Sequence, residues 1–210
     1  MTTTSFFHEL APKHIASCCR ILGVLFYHPP NHPDAVPAVR YCQNGELAAT
    51  WPLGGREDLR QIEYAMSKAL EGDATRQALI EEYQRLFVGP NPLEAPPWGS
   101  VHLEEEQTLF GETTEALRNL LANHWVGLQS EHPEPEDHIG LLLWAAAWLA
   151  DRGQEAALDA LLETHLFTWS DTYLDQLGRA ARHPFYQCLA ALTRITLHDM
   201  QERRCRPVHQ

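Results

Sequence analysis

From Pro12 nearly to the end of the chain, apolar side chains return every three or four positions, and period-two alternation is almost absent. Ile15, Cys18, Leu22, Leu25 and Phe26 form one stripe, introduced by Pro12 and stopped at His28-Pro29-Pro30. Leu59, Ile62, Met66 and Leu70 form a second, closed by Gly72, and Leu79 to Phe87 form a third, ended by Gly89-Pro90. The spacing repeats at Leu117–Leu121, Ile139–Leu149, Leu158–His165, Trp169–Leu177 and Phe185–Ile195. Only Leu47 to Trp51 has the pattern of a short strand. Amphipathic helices in such succession bury their stripes against one another, which predicts an all-α multi-helix bundle. At 210 residues the chain is long enough to bury about 70% of its extended surface, so a single compact domain over 1–210 is expected, with any seam falling within 88–104.

That seam is the one break in the helical pattern. Residues 88–104 carry four prolines and two glycines, which no helix interior tolerates. The same stretch holds Trp98, Val101 and Leu103, so an ordered connection packed across the bundle is expected, joining an N-terminal and a C-terminal helical half. A second distinctive stretch, Glu131-His-Pro-Glu-Pro-Glu-Asp-His138, precedes the most apolar helix. Pro135 suits a first helical position, and Glu134, Glu136 and Asp137 suit the positive end of a helix dipole.

Charge narrows the partners. Sixteen basic against 28 acidic residues give a net charge of −12, which repels phosphate backbones and argues against nucleic acid. The longest uncharged apolar run, Ile139 to Ala150, is too short for a bilayer, so no membrane span is expected. Met1 to Glu9 lacks a basic start and an apolar run, and the five cysteines include no Cys-x-x-Cys pair. A cytoplasmic chain with reduced thiols is the expectation.

Catalytic signatures fail by inspection. No phosphate loop, dinucleotide fingerprint, His-Glu-x-x-His or nucleophile elbow is present, so no enzyme is expected. Among the twelve histidines, His28-Pro-Pro-Asn-His32 has a suggestive interval, but the prolines are expected to keep the two rings from converging, and no metal or other cofactor is expected. His124, His165 and His183 are read as helix-end residues whose positive charge would suit the dipole. What remains is a binding module.

Taken together, Tyr83-Gln-Arg-Leu-Phe-Val-Gly-Pro90, Pro96-Pro-Trp-Gly-Ser-Val101, Leu109-Phe-Gly111, Glu134-Pro-Glu-Asp-His138 and His183-Pro-Phe-Tyr186 resemble the TorD/DmsD family of Tat proofreading chaperones. Trp51-Pro-Leu53, Ala146-Ala-Trp-Leu149 and His165-Leu-Phe-Thr-Trp-Ser170 resemble its DmsD branch, which serves dimethyl sulfoxide reductase. The resemblance implies a TorD-like all-α fold and a chaperone that binds the twin-arginine leader of a molybdoenzyme precursor, delaying export until cofactor insertion and folding are complete. Its partners would be that leader and precursor, together with components of the Tat translocon. The implied peptide-binding residues are Tyr83, Arg85, Leu86, Pro97, Trp98, Gly99, Gly111, Glu134, Asp137 and His138. Tyr83 and Asn91 stand where DmsD-like relatives have tryptophan, and Asn91 is not counted as an anchor. Asp137 and Glu134 are the expected partners of the leader's guanidiniums, beside Trp98, Leu86 and Leu103, with His138 orienting Asp137 or the peptide. Arg85, which shares the leader's charge, is expected to pair internally with a helix-start carboxylate. Three other readings stay open: a nucleotide hydrolase, a molybdopterin-delivery protein with Arg118 or Arg152 lining a pocket, and an adaptor that contacts folded cargo and ignores its leader.

Overall fold

A computed structural model of the chain describes residues 11–103, 112–124 and 134–205. Its elements are α1 (Pro12–Tyr27), α2 (Ala35–Gln43), α3 (Leu47–Thr50), α4 (Arg56–Ala69), α5 (Asp73–Tyr83), α6 (Gly99–Leu103), α7 (Glu112–Asn123), α8 (Ile139–Asp151), α9 (Glu155–Ala160), α10 (Phe167–Ala180) and α11 (Pro184–Cys205). Wider π-type turns extend α5 through Gln84–Val88 and join α9 to α10 through Leu161–Leu166. Among the described residues no strand forms, and the all-α expectation holds.

The stripe from Leu47 to Trp51 is helical, not extended: the Trp51 N–H donates to the Leu47 carbonyl at 2.8 Å. Leu47 and Trp51, four apart, are both buried, so one helical turn places them on the same side.

α8 is the axis of the molecule. Every residue from Ile139 to Ala150 except Trp144 and Trp148 is buried, as expected of a helix that is apolar all round. α1 lies along it, and the crossing is close because two glycines meet there. A Cβ on Gly23 would sit 2.6 Å from the Trp144 ring, and one on Gly140 would sit 3.0 Å from the Gly23 carbonyl. α10 and α11 pack side by side, and α11 reaches α4. Trp51 Nε1 donates to Thr196 Oγ1 at 3.0 Å, and the Tyr186 hydroxyl donates to the Leu79 carbonyl at 3.0 Å. Early and late helices therefore share one continuous apolar core.

The proline-rich connection is ordered over its described part, with Ala95 and Pro97 buried, but its last residues form α6. α8 begins at Ile139, four residues later than Pro135 suggested; Pro135 instead opens a turn in which its carbonyl accepts from the His138 N–H at 3.1 Å.

Candidate functional site

The two stretches singled out in the sequence meet at the head of α8. Trp98 and His138 form an isolated antiparallel bridge. The Gly99 N–H donates to the Asp137 carbonyl at 3.1 Å, and the Ile139 N–H donates to the Pro97 carbonyl at 2.8 Å. Gly99 permits this path, because a Cβ there would meet Trp169 Nε1 at 2.8 Å. The bridge sets the Trp98 indole beside the His138 ring, centroids 6.1 Å apart, and lets Trp98 Nε1 donate to Glu134 Oε2 at 3.1 Å.

Beside this bridge opens a cavity of about 380 Å³. Trp98, Glu134 and His138 form one wall, Tyr27 and His28 at the end of α1 another, and Tyr83 and Phe87 a third. Its size lies at the small end of ligand pockets, suited to side chains rather than to a folded element. The Tyr83 hydroxyl is engaged, donating to the Tyr27 carbonyl at 2.6 Å, and burial pushes that phenol up. Tyr83 therefore presents a ring face, stacked obliquely on Phe87 with centroids 4.9 Å apart.

His138 is the N-cap of α8: its Nδ1 accepts from the Gly140 N–H at 3.1 Å. An accepting Nδ1 places the neutral ring's proton on Nε2. Burial pushes this imidazole down to about 3, so at neutral pH it is an uncharged donor.

The two acidic residues expected to act together are separated. Asp137 is only 5% exposed and is not among the residues lining the cavity. Its Oδ2 accepts from the Ser100 N–H at 2.6 Å, at the start of α6, and from Thr114 Oγ1 at 3.4 Å, while Oδ1 has no partner among the described residues. Asp137 thus holds α6 and α7 against the head of α8, and among the described residues the carboxylate that lines the cavity is that of Glu134. Asp137, expected to grip a guanidinium, is buried here and does not line this cavity.

The remaining expected residues divide in the same way. Pro97 and Gly99 are buried and act through their backbone bonds, and Leu86 is buried in the core, 1% exposed, behind Phe87. Leu103 is 39% exposed on α6 and does not line the cavity. Arg85 does pair internally, but not with the stretch before α8. It grips Glu82 through two nitrogens at 2.8 and 2.9 Å, Glu94 at 2.7 Å and the Ala180 carbonyl at 2.6 Å. Burial alone would push Glu82 up, but Arg85 and the Arg182 and His183 N–H groups outweigh it and hold that carboxyl below its ordinary value. Gly111 lies outside the described residues. Asn91 is exposed in a bend and adds no wall.

Three histidine readings also change. The His28 and His32 rings do converge: the Pro29-Pro30-Asn31 turn, closed by the His32 N–H on the Pro29 carbonyl at 2.9 Å, stacks them with centroids 3.9 Å apart and planes within 2°. His183 sits at the start of α11, where its Nδ1 accepts from the Phe185 N–H at 3.2 Å, and burial pushes it toward the neutral form. That is an acceptor's place and not a cation's. His165 lies within the wide turn before α10, and burial pushes it down as well. The arginines proposed for a cofactor pocket are otherwise engaged: Arg118 grips Glu136 with two bonds of 2.8 Å, and Arg152 lies 4.0 Å over the Trp148 ring.

The sequence did not mark Tyr27, His28, Gln84 or Phe87 as cavity residues, nor Pro29, His32 and Val88 beside them. The first two end the α1 stripe, and Gln84 and Phe87 lie beside the expected Tyr83 and Leu86, so the signal was one of neighbourhood alone.

The family model described as nitrate reductase delta subunit matches residues 51–175 of the chain. The chain is 42% identical over 193 residues to a Salmonella typhi protein named Tat proofreading chaperone DmsD, covering 92% of each chain. It is 33% identical over 185 residues to the Escherichia coli chaperone protein YcdY, covering 87% of this chain and 91% of that one. A crystal structure of an Archaeoglobus fulgidus protein described as a redox enzyme maturation protein superposes with a TM-score of 0.52 at 18% identity, over 91% of this chain and 98% of that one, a likeness of fold.

Proposed function

From the premise that the chain belongs to the nitrate reductase delta subunit family, and within it to the TorD/DmsD group of Tat proofreading chaperones, we propose that it binds the twin-arginine leader of a molybdoenzyme precursor in the cavity at the head of α8. The observation that carries this reading is the one carboxylate among the described lining residues, Glu134, set among the aromatic rings of Trp98, Tyr83 and Phe87. Trp98 engages one Glu134 oxygen and leaves acceptor positions for a guanidinium fork, while the rings cover its flat face and alkyl stem. His138 supplies a neutral Nε2–H beside them, suited to a peptide carbonyl. The net charge of −12 draws a cationic leader from a distance.

Binding, not turnover, is the activity in this reading. The leader is held back from the translocon until cofactor insertion into the precursor is finished, and the precursor is the catalytic subunit of a dimethyl sulfoxide reductase, the cargo that the resemblance of Trp51-Pro-Leu53 and His165-Leu-Phe-Thr-Trp-Ser170 to the DmsD branch implies. A hydrogen bond to a charged group contributes about 1.5–3 kcal/mol, so Glu134→Gln should weaken leader binding by about 10- to 150-fold in calorimetry. A twin-lysine peptide should bind correspondingly less well to the unaltered chain, since an ammonium cannot make the fork. Equal binding of the two peptides, or an unchanged affinity in Glu134→Gln, refutes the charge-fork reading.

A further inference from the structure

We infer that His28, His32 and Asp34 form a binding site for one divalent first-row transition-metal ion, at the rim of the cavity and independent of the peptide reading. Among the described residues they are the one group of three such side chains whose ligand atoms all lie within 4.8 Å of one another. His28 Nε2 is 3.9 Å and His32 Nδ1 is 3.8 Å from the same oxygen, Asp34 Oδ2. Two ligands on a tetrahedral ion with bonds of about 2.0–2.1 Å stand about 3.3 Å apart, so a shift of about half an ångström closes each histidine–aspartate pair, while the His32 ring must turn out of its stack to aim Nδ1 at the ion.

The parts that must move are the more exposed ones. The Asp34 side chain is 71% exposed, and that of His32 23%, so the carboxylate can swing and the second ring can turn out of its stack. The first ring stays fixed: His28 is held edge-on by Tyr27, centroids 5.0 Å apart, and lies 5.6 Å from Trp144. Pro29 and Pro30 lock two backbone angles of the intervening turn, which preorganises the pair. His32 Nδ1 accepts a long bond, 3.3 Å, from the Asp34 N–H, which a metal would replace.

A second observation comes from Asp34 itself. It occupies the N-cap position of α2, where an aspartate ordinarily accepts from the first helical N–H groups, yet its side chain makes no capping bond. The carboxylate is turned to the two imidazoles instead. Two neutral nitrogens and one carboxylate select zinc, cobalt, nickel or copper over calcium or magnesium, which prefer oxygen alone. Three protein ligands leave a coordination position open, and both rings line the cavity, so that position is within reach of its contents.

The test is a titration of the untagged full chain with Co²⁺, followed by its visible d–d absorption and reversed by Zn²⁺. One ion per chain is expected, with a spectrum of low coordination number. Loss of a supporting group beyond the metal's own ligands costs about 10- to 100-fold in affinity, so loss of a ligand in His32→Ala or Asp34→Asn should cost at least tenfold. Circular dichroism of both variants should match that of the unaltered chain. Absence of saturable binding, or binding that neither substitution weakens, overturns the site.

Discussion

His138 turns burial into a measurable dependence of stability on pH. The folded chain holds this imidazole at about 3, whereas in the unfolded chain it titrates near the ordinary value of about 6.5. Between those values the unfolded state carries a proton that the folded state refuses, so stability rises with pH across the window and is lost as pH falls below about 6.5. Integrated over that difference, acidification from pH 7 to pH 5 removes about 2 kcal/mol through this one side chain. His165 and His183 are also pushed down by burial and add losses of the same sign, so the total change does not isolate His138. Substitution does. Asparagine is a good N-cap acceptor and does not titrate here, so His138→Asn keeps the bond from the Gly140 N–H and removes the proton uptake. Urea unfolding of both proteins at pH 7 and pH 5, followed by helical circular dichroism, should show the variant losing about 2 kcal/mol less than the unaltered chain. Equal losses in the two proteins would mean that His138 is hydrated and titrates normally, and the assignment of a neutral Nε2 donor would fail with it.

Two further substitutions separate positioning from contact. Asp137→Ala leaves the Ser100 N–H without its acceptor and should cost about 1–3 kcal/mol in unfolding experiments, whereas Asp137→Asn, which retains an acceptor, should restore most of that stability together with leader affinity; loss of leader binding in the stable asparagine variant would show that the charge itself is touched. Glu82→Gln weakens the Arg85 fork and the bonds from the turn before α11, and should cost about 2–3 kcal/mol in denaturant titration with leader affinity unchanged in the folded protein; an effect confined to leader binding would return Arg85 to the binding surface.

The helices that were legible in the sequence are those whose stripes run long: Ile15 to Phe26, Leu59 to Met66, Ile139 to Leu149 and Phe185 to Ile195 all lie on helices of the expected period, with Leu70 the residue that ends α4. α2 was not legible, because Pro37 falls within it, although the first helical turn tolerates proline. Leu47 and Trp51 fit both an alternating and a helical spacing, and only their shared burial decides between the two. The site was half legible. Trp98, Glu134 and His138 do converge, one from the break in the helical pattern and two from the acidic stretch before α8, the two segments that the sequence singles out. Adjacency does not separate Asp137 from His138: the turn that Pro135 opens sets the two side chains apart, so one accepts from Ser100 while the other caps α8. Convergence of His28 with His32 depends on a turn whose closure by the Pro29 carbonyl no residue-level rule supplies.

The pairing of Trp98 with His138 acts as a clasp. Residues 97–99 and 137–139 are buttoned together by two backbone bonds, so the chain leaves the cavity wall and re-enters it at one spot. A clasp of this kind uncouples the wall from the length of what it closes off. Rewriting exposed positions of the intervening stretch leaves the indole and the imidazole in register, provided that Glu134 and the buried Leu117 and Leu121 within that stretch are kept.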